Sequence, residues 1–346
     1  MDFRATIARL SEPPGVSGYE QRAAECAAEL LTPFCDTVKT LPLFAVAGTR
    51  YAAVAGAPRV LLDAHIDQIG FIVTGHAGHG FLRFTTCGGF DPRVLPAKEV
   101  LIHAKEGLLH GVIACLPPHM KDAAQPGAVT IADLVIDSGL EDAESRIPIG
   151  TPVTVAAPPF GMGEDYIGAA ALDDRACFTA ILYALELLKD EPLPVELTVV
   201  GSSQEETGGL GATTATFDAR PDYAVAVDVT HAWTPDASKE RTVPAGSGAA
   251  IGVGPHLNRK VSSTLIHLAQ ENGIPYTREI LCSGTGTNAT HMQIVRTGSA
   301  TGLVSLPLRY MHTACEVIRE ADARACGELL AAFIRSFREG VPKCWN

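Results

Sequence analysis

VLLDAHID, residues 60–67, is the stretch on which the fold turns. Residues 60–64 form a short apolar run of the kind a buried strand needs, and the run closes on His65 and Asp67. Upstream, residues 4–34 alternate apolar and polar with helical periodicity, broken at Pro13, Pro14 and Gly15, which predicts two helices around a turn. Downstream, from Gln68 to about Phe160, Gly, Val, Ile and Thr dominate short segments punctuated by Pro and Gly, an all-β composition. Helical texture returns at Leu172. Residues 173–189 have an acidic, capping-type start and an amphipathic body. Strands are then expected at 195–200, 223–228 and 300–306, and helices at 261–272 and 315–339. Strands alternating with helices predict an α/β fold, a mostly parallel sheet with helices on both faces. The expected architecture is one α/β domain in two pieces, residues 1–67 and 162–346, interrupted by a β-rich inserted domain at 68–161.

Composition narrows the function. The chain has 346 residues, enough for roughly two domains. Apolar residues make up 47% and charged residues 19%, so a large core can form and disorder is excluded. Lys plus Arg number 27 against 39 Asp plus Glu, a net charge of −12. That balance argues against a nucleic-acid partner and against docking on anionic lipid. The longest apolar stretch, TAILYALELL at 179–188, falls short of the roughly 18 residues of a membrane span. The N-terminus carries Asp2, Arg4 and Arg9 with no apolar run, so no secretory signal is expected. Nine cysteines without a CxxC read as reduced thiols, which fits a cytoplasmic protein.

Ligands of open α/β sheets bind beyond the carboxyl ends of the strands. Those positions here carry His65 and Asp67, then Glu205 and Glu206, then Asp228, then His312, while Asp173 and Asp174 open a helix. Packed carboxylates repel and raise one another's pKa unless a counter-charge offsets them, and only Arg175 and Arg309 lie near these motifs. Divalent metals are the other solution, and imidazole plus carboxylate without thiolate suits zinc, cobalt or manganese. Each residue alone has a blander reading. His65 could be a buried, hydrogen-bonded histidine, Asp173 and Asp174 a helix start facing the dipole, Glu205 and Glu206 solvated turn residues, Asp228 a strand-end cap and His312 a surface histidine. His231 competes with Asp228. Cys87 before Gly88 and Gly89 has no suitably placed histidine to make it a nucleophile. HExxH, GxSxG and P-loop motifs are absent.

Taken together, PGVSGYE (from Pro14), DAHIDQIGFIV (from Asp63), GGFDPRVLP (from Gly88), ALDDRA (from Ala171), SSQEETGGLGA (from Ser202), AVDVTHA (from Ala226) and SLPLRYMHT (from Ser305) resemble the tetrahedral, or TET, aminopeptidases. This is peptidase family forty-two, with its glutamyl and deblocking aminopeptidases and endoglucanase M-like members. The resemblance runs over essentially the whole chain and implies a dimetal aminopeptidase fold. It also implies two co-catalytic divalent metals, zinc or cobalt foremost. His65 and Asp228 would bind one, Glu206 and His312 the other, with Asp173 between them. Glu205 would be the general base and Asp67 would orient His65. A peptide substrate, an inserted dimerisation domain and dimers assembling into a hollow tetrahedral dodecamer are implied too. One departure stands out: the family's usual Gly-Thr-Asp-Ala is here Gly286-Thr287-Asn288-Ala289, which places Asn288 as a substrate-loop residue bearing on preference or rate. Three rivals stay open at this level. They are a dimetal amidohydrolase or deacylase on N-acyl amino acids, a metal-free glycosidase with two acids, and a non-catalytic assembly protein.

Overall fold

Val60, Leu62 and Ala64 of one strand enter one hydrophobic core, while Leu61 between them enters another, because side chains of a strand alternate between faces. Both faces of this strand are therefore covered. The computed structural model describes residues 1–114, 116–120 and 129–340. Cys115, Cys344 and the last six residues of the expected second piece lie outside the described residues.

The chain opens with α1 (Phe3–Ser11) and α2 (Gln21–Leu31), followed by β1 (Thr37–Thr40), β2 (Val46–Arg50) and β3 (Arg59–His65). Next come β4 (Gly70–Gly78), β5 (Phe81–Cys87), β6 (Glu99–Ala104), β7 (Gly107–Ala114) and β8 (Val135–Asp137), then the short α3 (Ala143–Arg146) and β9 (Pro152–Val155). The rest runs β10 (Phe160–Met162), β11 (Tyr166–Ala169), α4 (Leu172–Leu188), β12 (Glu196–Ser202), α5 (Leu210–Ala219), β13 (Tyr223–His231), β14 (Ala249–Val253), α6 (Arg259–Glu271), β15 (Tyr276–Ile280), α7 (Asn288–Met292), β16 (Ala300–Arg309), β17 (Glu316–Arg319) and α8 (Glu320–Arg335).

Among the described residues, eleven strands form one sheet whose centre, β12–β3–β13–β16, is parallel. The flanks are not. β2 and β1 run antiparallel on one side, and β17, β11 and β10 on the other. β14 also runs antiparallel to β16. The sheet is thus mixed rather than mostly parallel, since β1–β2, β10–β11 and β16–β17 are hairpins, which need no crossover helix. Helices α4 and α8 cover one face, and α5 and α7 the other. Six strands, in the order β4-β5-β8-β7-β6-β9, close into an antiparallel barrel. Its own core includes Phe71, Phe84, Val100, Ile113 and Val153, with Phe71 stacked on Phe90 at 4.6 Å. Closure removes exposed strand edges. The barrel ends at Val155, and β10 already belongs to the large sheet.

Two helix starts differ from expectation. Asp173 (φ −76°, ψ 104°) and Asp174 (φ −121°, ψ 23°) are not helical, and no side chain caps α4 there. Residues 316–319 are strand β17, so the last helix begins only at Glu320.

One buried cation ties these parts together. Arg175 is 0% exposed. It donates from Nε to Ile66 O at 3.0 Å and from Nη1 to Leu10 O and Pro13 O at 2.6 and 2.7 Å. A Cβ at Gly15 would lie 2.4 Å from Arg175 Nη2, so the turn after α1 needs glycine to close over the guanidinium. Burial holds this guanidinium down at about 10. Arg175→Met should leave two buried carbonyls and a partly buried one unpaired and destabilise the chain by about 3 kcal/mol or more. A melting temperature equal to that of the wild type would show that water or relaxation replaces those bonds.

Candidate metal centre

The parallel strands bring their chemistry to one edge. β3 ends on His65, paired in register with Ser202 of β12, and Asp228 of β13 lies opposite Ser305 of β16. His65 Nδ1 donates to the backbone carbonyl of Asp67 at 3.1 Å, which leaves Nε2 pointing at Asp173 Oδ1, 3.0 Å away. The carboxylate of Asp67 lies 3.5 Å from Nδ1 and accepts from the Ser17 hydroxyl. It also accepts from the backbone N–H groups of Glu205 and Glu206, at 3.1 and 3.2 Å. Asp67 therefore locks the strand-end histidine and the two glutamates into one frame. His312 Nε2 lies 3.3 Å from Glu206 and 3.6 Å from Asp173.

Ligand atoms of His65, Asp173 and Glu206 lie within 4.8 Å of one another, and those of His65, Asp174 and Asp228 do so too. His65, Asp173, Glu205, Glu206, Asp228 and His312 all line a single cavity of about 610 Å³. Glu205 belongs to neither donor group.

The charges are unbalanced. Burial pushes the Glu205 carboxyl up to about 7, with Glu206, Asp67 and Asp173 adding to the push. Burial likewise raises Glu206, and raises Asp174 and Asp228 well above the carboxylate range. Burial opposes the charge on His65, yet its bonds to Asp173 and Asp67 bring it well above the ordinary value. The bond to Glu206 lifts His312 to about 9. Carboxylates and imidazoles are thus holding protons that a divalent cation would displace. Asp174 Oδ1 is buried without a hydrogen-bond partner. This set of oxygen and nitrogen donors, without thiolate, fits zinc, cobalt or manganese.

Residues that sequence reasoning passed over hold the frame. Glu316 is buried and accepts from the backbone N–H groups of Asp173 (2.9 Å) and His312 (3.1 Å). Its one sequence signal is its place four residues after His312. The sequence reads Asp174 as part of a helix start, but its Oδ2 accepts from the backbone N–H of His65 at 3.1 Å. Glu20, raised by burial to about 7, accepts from the N–H groups of Gly18 (2.8 Å) and Gln204 (3.0 Å). Ala171, Gln204, Tyr310 and His312 all have φ between 55° and 65°, left-handed backbone that non-glycine residues adopt at a cost of order 1 kcal/mol. The barrel reaches this region as well, since a Cβ on Gly89 would stand 3.2 Å from His312 Nδ1.

Asn288 does not face the cavity. It is 2% exposed and donates from Nδ2 to Asp63 Oδ2 at 2.8 Å and to Ser202 Oγ at 2.9 Å, beneath His65. An acid there would set two carboxylates face to face, whereas the amide supplies a donor. Its neighbours Thr287, Thr290 and His291 do line the cavity. His231 lines it too, outside both donor groups. Burial and nearby acids push the Cys87 thiol up, the wrong direction for a nucleophile.

A family model described as M42 glutamyl aminopeptidase matches residues 48–329. The chain belongs to this family. This M42 aminopeptidase is 35% identical over 325 residues to a lysyl aminopeptidase of Pyrococcus furiosus, covering 91% of each chain. Its structure is similar to that of an aminopeptidase from the archaeon Desulfurococcus kamchatkensis, with a TM-score of 0.90 and 30% identity over 96% of this chain and 94% of that one. It is similar also to a TET1 peptidase of Pyrococcus horikoshii that can assemble into a tetrahedron or a large octahedral shell, with a TM-score of 0.85, 27% identity, and 96% and 99% covered. No helix among the described residues is long and apolar enough to cross a membrane.

Zinc or cobalt added to the metal-free M42 chain should raise its melting temperature by several degrees, since a ligand at a thousandfold its Kd stabilises by about 4 kcal/mol. Asp173→Ala should abolish the shift. An equal shift in that variant would place the binding elsewhere.

Proposed function

We propose that the chain is a dinuclear metal-dependent aminopeptidase, cleaving N-terminal residues from peptides with Glu205 as general base. The observation that carries this reading is a cavity lined by donors from both groups and by Glu205, a carboxylate that belongs to neither. His65 and Asp228 would hold one cation, Glu206 and His312 the other, with Asp173 shared. When bound, such cations supply Lewis acidity toward the scissile carbonyl and lower the pKa of the attacking water. Glu205 takes the proton from that water as it attacks the carbonyl carbon. It then returns the proton to the leaving amine as the carbon–nitrogen bond breaks. Asp67 positions the Glu205 backbone for both transfers and orients His65. The acidic wall favours the free α-ammonium of a peptide, which directs cleavage to the N-terminus.

The same reading assigns residues 1–67 and 162–346 to the catalytic domain and the barrel region, 68–161, to dimerisation. Dimers would join into a tetrahedral dodecamer. A cytoplasmic setting is supported by the seven unpaired cysteines among the described residues. Mass photometry should then find particles near twelve times the 36.4 kDa chain. A population of monomers only would refute the assembly.

Glu205→Gln should keep its metal content while turnover on amino-acid p-nitroanilides falls by about a thousandfold or more. Near-normal turnover would remove Glu205 from the mechanism. The wild type should act on free-amino peptides and spare their N-acetylated forms. The reverse preference would mark a deacylase.

A further inference from the structure

The cavity continues beyond the donor cluster, along β13 toward β15. Its wall there carries a second kind of carboxylate, Glu279 of β15. Two buried hydroxyls from two other strands hold it. Thr230 Oγ1 of β13 donates to Oε1 at 2.5 Å and Ser305 Oγ of β16 donates to Oε2 at 2.7 Å. Thr230 is 7% exposed and Ser305 1%. These donors fix the carboxylate in place without neutralising it. Among the described residues, no Lys or Arg lines the cavity, and Glu279 is its one carboxylate apart from Asp173, Glu205, Glu206 and Asp228.

Its position relative to the reacting centre follows from the register. Asp228 and Thr230 lie two apart on β13 and face the same way, and Asp228 stands opposite Ser305. Ser305 stands level with Asp228 and Thr230 two residues farther on, so the Glu279 carboxylate, bonded to both, lies between those levels on the face that carries Asp228. Leu281 and Met311 line the same cavity and offer apolar surface to the stem of a long side chain.

We propose that Glu279 forms the end of a side-chain subsite that selects peptides whose N-terminal residue is cationic, lysine or arginine. The proposal rests on the aminopeptidase reading and adds to it the class of substrate. A carboxylate fixed in a cleft attracts an ammonium or guanidinium group more strongly than one on open surface, where water and salt screen the pair. Being held before the substrate arrives, it needs no ordering on binding.

The test is kcat/KM for Lys-, Arg-, Leu- and Glu-p-nitroanilide, with the metal-loaded wild type, Glu279→Gln and Glu279→Lys. The wild type should favour Lys and Arg over Leu by about tenfold or more. The Gln variant keeps a carbonyl to accept from one of the two hydroxyls, and its Lys-to-Leu ratio should fall by about tenfold, mainly through KM. The Lys variant should shift preference toward the Glu substrate. A wild type with no cationic preference, or a Gln variant whose ratio is unmoved, would overturn the proposal. So would an equal loss on all four substrates, which would make Glu279 a brace or an anchor for the α-ammonium. All three of those outcomes leave the aminopeptidase reading standing. A wild type inactive on every substrate would overturn both.

Discussion

Buried negative charge at the carboxyl edge of four parallel strands is the constraint on which everything else rests. Asp67, Asp173, Asp174, Glu205, Glu206, Asp228 and Glu316 crowd into one region, and the paired groups available to them are two histidines, backbone amides and hydroxyls. Such a gathering is costly to fold unless protons or cations offset it. The raised carboxyl and imidazole pKa values are the protonic answer, and divalent cations would be the other.

The surrounding structure makes that crowding possible by over-determining each group. Asp67 holds the backbone of two glutamates, Glu316 that of Asp173 and His312, and Asp174 that of His65. Left-handed residues at Ala171, Gln204, Tyr310 and His312 are tolerated because these bonds leave the chain no alternative. Farther out, Arg175 draws the turn after α1 onto the strand end beneath His65, so the N-terminal segment, distant in sequence, becomes part of the frame.

Much of this was legible beforehand, for definite reasons. β3, β12, β13 and β16 are buried on both faces and read as continuous apolar runs. The residues that end them carry the chemistry, and position alone singled out His65, Glu205, Glu206, Asp228 and His312. The outlying strands β15 and β17 are not legible in the sequence. β15, Tyr-Thr-Arg-Glu-Ile, is mostly polar, and β17 offers two apolar residues that suit a helix as well as a strand. Glu20 and Ser17 give no signal, and Glu316 only its spacing from His312, because their partners are backbone groups or side chains brought near only by folding. Asn288 was visible as a departure from a motif, but its place under β3, bonded to Asp63, depends on how α7 packs.

The proposed centre would hold two cations among these side chains. Protein dialysed against zinc and crystallised should show, in anomalous scattering at the zinc edge, two ions per chain among His65, Asp173, Glu206, Asp228 and His312. A single ion, none, or ions bound away from these residues would contradict it.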